Sequence, residues 1–274
     1  MAPVALALAL SAAVLHAVWN LILARQRDPE AATAIAMAAG VVCFAPVAAF
    51  SFDVERAAIP FIAVTAALQL LYFASLASAY RHSALSVVYP IARGGAPVIV
   101  LVAGVVIVGY GTSPAQIAGV ALVAAGVLLV RGVKRDGQAH GVVFGLGIAS
   151  VIAAYTLVDS RGILHANPVA YLELAMAPAA AGYLVIMATR SRGLERIRAQ
   201  TSGTMIFAGA LSFFAYVLVL AALERAPAAA VAAVRETSIV IATALAARVL
   251  GERVTPLRLG GAVLVVIGVA LLGL

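Results

Sequence analysis

DPEAATAIAMA at residues 28–38 and NPVAYLELAMA at residues 167–177 agree at five of eleven positions, including the proline and the run Ala-Met-Ala. The agreement does not stand alone. AVTAALQLLYFASLASAYR, ending at Arg81, aligns with FAGALSFFAYVLVLAALER, ending at Arg225, and sets Tyr72 opposite Tyr216. VGYGTSPAQIAGVALVAAGVLLV, starting at Val108, aligns with LGERVTPLRLGGAVLVVIGVALL, starting at Leu250, pairing Pro114 with Pro256 and Gly126 with Gly268. The beginnings of the two units match more weakly, with Trp19 opposite Tyr155 and Arg25 opposite Arg161. One such match arises easily by chance between spans rich in Ala, Val, Leu and Gly; four in the same order do not. The repeat divides the chain into related units at residues 1–133 and 141–274, joined by a linker at 134–140.

Of the 274 residues, 65% are hydrophobic and 11% charged, whereas soluble domains carry about 25% charged residues. A water-soluble fold is excluded. Breaking the chain at its charged, Gly and Pro punctuation leaves ten apolar stretches, near 3–24, 31–51, 58–79, 84–108, 114–131, 141–158, 168–188, 203–222, 227–250 and 256–273. Each is close to the roughly 20 residues that cross a hydrocarbon core as a helix. The first lacks a basic leader and a small-residue cleavage site and reads as a retained helix rather than a signal peptide. The expected fold is an all-α integral membrane protein with ten transmembrane helices. Five helices per unit is an odd number, so the second unit crosses in the opposite sense. Two inverted five-helix repeats of this kind commonly enclose a substrate site near the midplane.

The net charge of +7 does not indicate a nucleic-acid partner, because the basic residues are spread over short connections between spans. Thirteen of them, Arg25, Arg27, Arg81, Arg131, Lys134, Arg135, Arg190, Arg192, Arg196, Arg198, Arg248, Arg253 and Arg258, follow odd-numbered spans; three, Arg56, Arg161 and Arg225, follow even-numbered ones. The imbalance predicts that the odd-numbered connections face the cytoplasm and that both termini lie outside, in a multi-pass protein of the cell membrane, inner or plasma. The single cysteine, Cys43, makes neither a disulfide nor a thiolate metal site.

Two arginines belong to no connection. Arg93 and Arg235 are repeat counterparts, separated by the same 142 residues as Pro114 and Pro256. At 1.5 Å per residue they lie about 14 and about 12 Å into their spans, near the middle of a core about 30 Å thick. An arginine there costs about 2.5–3.5 kcal/mol to insert, so each must face protein or a wet cavity. One reading is a pair of forks for a carboxylate or phosphate group, since guanidinium binds such oxygens two at a time and stays charged. The other is internal ion pairing, Arg93 with Glu236 or Arg235 with Glu173. Pro90 and Pro97 flank Gly94-Gly95, a spacing that can kink or locally open the fourth span while letting another backbone come close. Tyr89 lies one turn before Arg93 on the same face. His16, Trp19 and Asn20 share one face of the first span, and polar groups there point inward, lining a cavity or bonding a neighbouring helix. Tyr72, Tyr155 and Tyr216 are aromatic cavity candidates on the same argument, with helix packing as the alternative.

No Gly-rich phosphate loop is present, so ATP is not the energy source. Proton coupling would use Glu173, Glu236 or His16, each of which also has a pairing alternative. The only lysine, Lys134, lies in the linker, which rules out an intramembrane Schiff base. The four histidines, His16, His82, His140 and His165, show no metal-ligand spacing. Neither a metal nor another cofactor is implied, and no nucleophile or paired-carboxylate motif points to an enzyme. Gly119, Gly126, Gly260, Gly261 and Gly268 give the fifth and tenth spans small faces suited to close packing, to a homodimer contact or to lipid.

LHAVWN at 15–20, YRHSALSVVYPIARGGAP at 80–97 and VLGERVTP at 249–256 resemble the drug/metabolite transporter superfamily, in particular its EamA-type branch of ten helices in two five-helix repeats. The Gly-Glu pair that closes the fourth helix of such a repeat stands here as Gly251-Glu252 but as Gly109-Tyr110 in the first unit. The resemblance also implies cytoplasmic termini, against the charge count. It implies secondary transport, with export the expected direction. Together with the two arginines it points to a small anionic or zwitterionic metabolite, such as an amino acid or an organic or phosphonic acid, as the substrate. The alternatives are efflux of amphipathic drugs, an accessory membrane protein, or an enzyme acting on a lipid carrier.

Overall fold

Local signals start the helices where the apolar stretches begin. Asp28 accepts a hydrogen bond from the Ala31 amide (3.2 Å) and Asn167 accepts one from Val169 (2.9 Å), each followed by proline at the first helical position. Both residues therefore satisfy an amide that has no partner inside the helix, and proline there forfeits none. They are repeat counterparts in the two matched segments quoted first. Ser202 caps the next helix through the Met205 amide.

The computed structural model describes residues 1–82, 85–107, 109, 111–131, 139–250 and 255–273. They form twelve helices: α1 (Pro3–Ala24), α2 (Pro29–Phe50), α3 (Ile59–His82), α4 (Leu85–Val106), α5 (Pro114–Arg131), α6 (Ala139–Gly162), α7 (Pro168–Ala188), α8 (Gly193–Gln200), α9 (Gly203–Leu223), α10 (Ala228–Arg235), α11 (Thr237–Leu250) and α12 (Pro256–Gly273). Tyr110, Gly251, Glu252 and most of the 134–140 linker lie outside the described residues. No strand forms among those described; an isolated antiparallel bridge joins Val54 to Ala166. Among the described residues six helices are long and apolar enough to cross a membrane, and three shorter apolar helices accompany them. Val42, Phe50, Val143, Val185, Phe207 and Val266 stand exposed on the outer faces, as lipid contact requires. The chain is an all-helical, multi-pass membrane protein.

Two features depart from the sequence reading. The connection after α7 contains α8, a short polar helix. The stretch expected as one span at 227–250 is two helices, interrupted at Glu236. At the interruption the Glu236 amide bonds Ala233 (3.1 Å), the Ile239 amide bonds Glu236 (3.0 Å) and the Thr237 hydroxyl bonds the Val234 carbonyl (2.8 Å). These three-residue spacings tighten the turn and break the register. Irregular backbone at this depth survives only when it is buried in protein or lines a cavity, and Glu236 is fully buried. By contrast α4, where the prolines and glycines suggested an opening, runs unbroken. Its glycines serve close approach instead: a Cβ at Gly94 would meet the Ala124 carbonyl at 3.3 Å, and one at Gly95 would meet Ala149 at 3.4 Å.

The units pack by exchange. α1 packs on α9 as α6 packs on α3; α2 packs on α9 as α7 packs on α3; α1 packs on α10 and α11 as α6 packs on α4. Across the middle α2 meets α7, and α5 meets α12. In the last pair Gly119 faces Gly268 and Gly126 faces Gly261, so the two helices run antiparallel. A Cβ at Gly126 would lie 2.5 Å from the Gly261 carbonyl oxygen, so a larger residue cannot fit without parting the helices. Four of the five glycines noted above are thus used inside the chain, and Gly260 faces open space.

Candidate functional site

The helices line a cavity of about 100 Å³ that is open on one side. Leu23, Thr33 and Leu76 form part of its wall near the ends of α1, α2 and α3 that adjoin residues 25–28 and 83–84. Its wall also includes Tyr155, Tyr216 and Arg235. At the other end of the molecule the connections at 51–58 and 163–167 tie the units together. Glu55 donates its amide to the His165 carbonyl (2.9 Å), Asn167 donates to Asp53 (2.7 Å), and the His165 ring meets the Glu55 carboxylate at 2.8 Å.

Most residues singled out from the sequence meet on this wall: His16, Trp19, Asn20, Tyr72, Arg93, Tyr155, Tyr216 and Arg235. The side chain of Tyr89 lies outside the described residues. The three tyrosines form a continuous edge-to-face row, with centroids 6.1 Å apart from Tyr72 to Tyr155 and 6.1 Å from Tyr155 to Tyr216. His16 and Asn20 bond the backbone of their own helix: the His16 Nδ1 lies 3.1 Å from the Ala12 carbonyl, and Asn20 Nδ2 donates to the His16 carbonyl at 2.6 Å. A carbonyl only accepts, so the His16 Nδ1 carries a hydrogen and Nε2 is the acceptor in the neutral ring. Trp19 packs edge-on against His16, and its buried Nε1 finds no hydrogen-bond partner among the described residues.

The two arginines sit differently. Arg93 Nη1 lies 3.3 Å from Glu236 Oε1, a buried ion pair between α4 and the α10–α11 break. Arg235 Nε lies 3.8 Å from the same carboxylate oxygen, and neither its Nε nor its Nη2 has a hydrogen-bond acceptor among the described residues. Two guanidinium groups, both buried on the cavity wall, thus share one carboxylate, leaving an excess positive charge and unmatched donors there. Each unmatched buried donor costs about 1–3 kcal/mol, and native structures keep such groups mainly where they have work to do. The Arg93–Glu236 pairing anticipated from sequence is present. No Arg235–Glu173 pair occurs among the described ion pairs; Glu173 is half-buried off the cavity wall with Oε2 unpartnered.

Sequence reasoning passed over Thr33, Gln69 and Ser212, polar residues on the wall that no charge or motif marks. It also passed over Asp159, assigned to the connection after a span ending at 158. α6 runs on to Gly162, and Asp159 is fully buried. Its Oδ1 accepts from Thr65 Oγ1 (2.5 Å) and the Tyr171 hydroxyl (3.0 Å), and its Oδ2 accepts from the Tyr216 hydroxyl (2.6 Å). A polar residue six positions past Ala153, still in helical register with Tyr155, was the available signal. At the end near residues 25–28 Arg196 of α8 forks onto Asp28 (2.6 and 2.9 Å) and reaches Glu30 (3.0 Å), which Arg190 also meets at 3.2 Å. The Arg196 hydrogen bonds hold the Asp28 carboxyl below its ordinary pKa.

Residues 139–274 match the EamA-like transporter family. The chain belongs to that family. It is therefore a membrane transporter of small molecules, in a family of transporters rather than enzymes. A solved crystal structure, 15% identical, superposes on the EamA-like chain with a TM-score of 0.74, covering 97% of this chain and 95% of that one, which is a likeness of fold. None of the curated proteins matches the sequence.

Proposed function

We propose that this EamA-like protein is a secondary transporter that carries a small organic anion or zwitterion through the cavity, with Arg235 as the principal ligand for the anionic group. The observation that carries the reading is the Arg235 side chain, buried on the wall with Nε and Nη2 lacking acceptors while Arg93 is held by Glu236. A carboxylate or phosphonate supplies two oxygens to that fork and cancels the excess charge. Trp19 adds a neutral donor, and the tyrosine row gives the substrate's apolar part a face to lie on. An amphipathic cation would instead meet two guanidiniums.

Ten spans in inverted units, residues 1–133 and 141–274, provide the means of alternating access. Support comes from the exchanged helix contacts and from Gly119 and Gly126 facing each other's repeat counterparts on α12. The excess of basic residues supports odd-numbered connections facing the cytoplasm, and with them the end of the cavity near residues 25–28. A mouth there with the opposite end tied shut is how a cell-membrane exporter loads.

Counterflow in proteoliposomes tests the class of substrate. Vesicles preloaded with unlabelled glutamate, succinate or methylphosphonate should accumulate the matching labelled anion, while vesicles preloaded with an unlabelled, membrane-impermeant organic cation such as methyl viologen should accumulate none of its labelled form. Exchange of the cation alone would overturn the anion reading.

A further inference from the structure

The buried carboxylate of Asp159 is unused by the scheme above, yet it touches the cavity through Tyr216. We infer that Asp159 is a proton-binding site whose proton accompanies the anion through the transporter, an inference that rests on the anion reading of Arg235.

Among the described residues, hydroxyl groups surround Asp159. Thr65 comes from α3, Tyr171 from α7 and Tyr216 from α9, all as hydroxyls; Tyr155 lies one turn earlier on α6. Arg235 on α10 is the cation whose charge reaches it, without forming an ion pair. Arg93 on α4 is engaged by Glu236, and His165 in the turn after α6 is engaged by Glu55 near the surface. Asp159 is therefore a carboxylate inside a membrane whose hydrogen-bond donors are neutral hydroxyls, with no ion pair to it among the described residues. Intramembrane carboxylates in that setting serve as proton relays. Oδ1 already accepts two hydrogen bonds and Oδ2 one, so a proton on Oδ2, directed at the Tyr216 oxygen, disturbs the fewest bonds. Tyr216 then turns from donor to acceptor, and its hydroxyl connects the carboxyl to the cavity wall.

The charge count makes the site a coupling device. With Asp159 ionised, Arg93, Arg235, Glu236 and Asp159 sum to zero. With Asp159 protonated they sum to +1. An anion at Arg235 is favoured by the second state, and by linkage the bound anion favours the proton equally. Proton and anion move together, and transport of a monovalent anion carries no net charge.

The test reads the proton without needing transport. Infrared difference spectra of the purified, reconstituted protein should show a protonated-carboxyl stretch that grows on acidification, disappears in Asp159→Asn and shifts in frequency in Thr65→Val, which keeps the carboxyl and removes one hydroxyl. The Thr65→Val arm assigns the band even if Asp159→Asn does not fold. In vesicles loaded with a pH dye, wild type should move protons with whichever of glutamate, succinate or methylphosphonate it exchanges. Asp159→Asn should keep counterflow within about threefold, lose its pH dependence and move no protons. A band that does not titrate, or one that neither variant affects, overturns the proton site even if counterflow succeeds. A titrating band without counterflow of any anion leaves the proton site standing and overturns the transport reading.

Discussion

The two halves of this EamA-like transporter place like residues at like positions and then use some of them alike and others not. Asp28 and Asn167 both cap the second helix of their unit, and the glycines of α5 and α12 close on one another symmetrically. Arg93 and Arg235, equally spaced in the repeat, diverge: one sits in an unbroken helix and holds Glu236, the other ends a broken helix with donors to spare. The difference traces to one residue. Glu236 follows Arg235, whereas Gly94 follows Arg93, so only the second unit carries a buried acid at the site. A repeat supplies two copies of a scaffold, and a single unshared carboxylate makes the surroundings of the two arginines unlike.

Replacing that carboxylate should have the largest effect. Glu236→Ala leaves two buried guanidiniums without a counter-charge and should cost about 3–5 kcal/mol, read as a fall in thermal midpoint in detergent. Adding Arg93→Met to it should recover part of the loss, because Arg93 is the ion-pair partner; no recovery would mean that the pair is not the reason Arg93 is tolerated. The glycines test the symmetric side of the comparison. Gly119→Val and Gly261→Val, being counterparts, should each destabilise by about 1–3 kcal/mol through overpacking and by similar amounts, while Gly260→Val should stay within about 0.5 kcal/mol. Unequal losses at the two counterparts would break the symmetry.

The caps give the smallest effect and a pH signature. Removing either, by Asp28→Ala or Asn167→Ala, should cost about 1 kcal/mol, with Asp28 somewhat the more costly because it also holds Arg196. Since its folded pKa is lowered, Asp28 contributes stability above its unfolded pKa of about 3.9 and loses it as pH falls through the lower folded value. Acid unfolding should therefore show the penalty of Asp28→Ala shrinking in that window while that of Asn167→Ala holds constant.

Local rules made much of this visible in advance. Pro3, Pro114, Pro168 and Pro256 begin α1, α5, α7 and α12 where the apolar stretches were drawn, because proline at a first turn and a cap are one-residue signals. Eight residues chosen for being polar or aromatic inside apolar stretches line one cavity, since a membrane interior leaves such groups few other places to go. The break at Glu236 escaped because it has neither proline nor glycine; it depends on hydrogen bonds formed around a buried acid. Asp159 escaped because three hydroxyls from α3, α7 and α9 satisfy it, and that pairing exists only once the helices assemble. The Pro90–Pro97 stretch misled in the other direction: packing against α5 and α6 uses its glycines without opening the helix.

The most direct test of the central claim sets the two arginines against each other in the counterflow assay, with Arg93→Lys and Arg235→Lys each keeping the charge and losing the fork. Arg235→Lys should reduce exchange of the transported anion more than tenfold with Km raised, and Arg93→Lys, whose ammonium can still meet Glu236, should reduce it less than threefold. Equal losses, or a larger loss at Arg93, would contradict Arg235 as the anion's ligand.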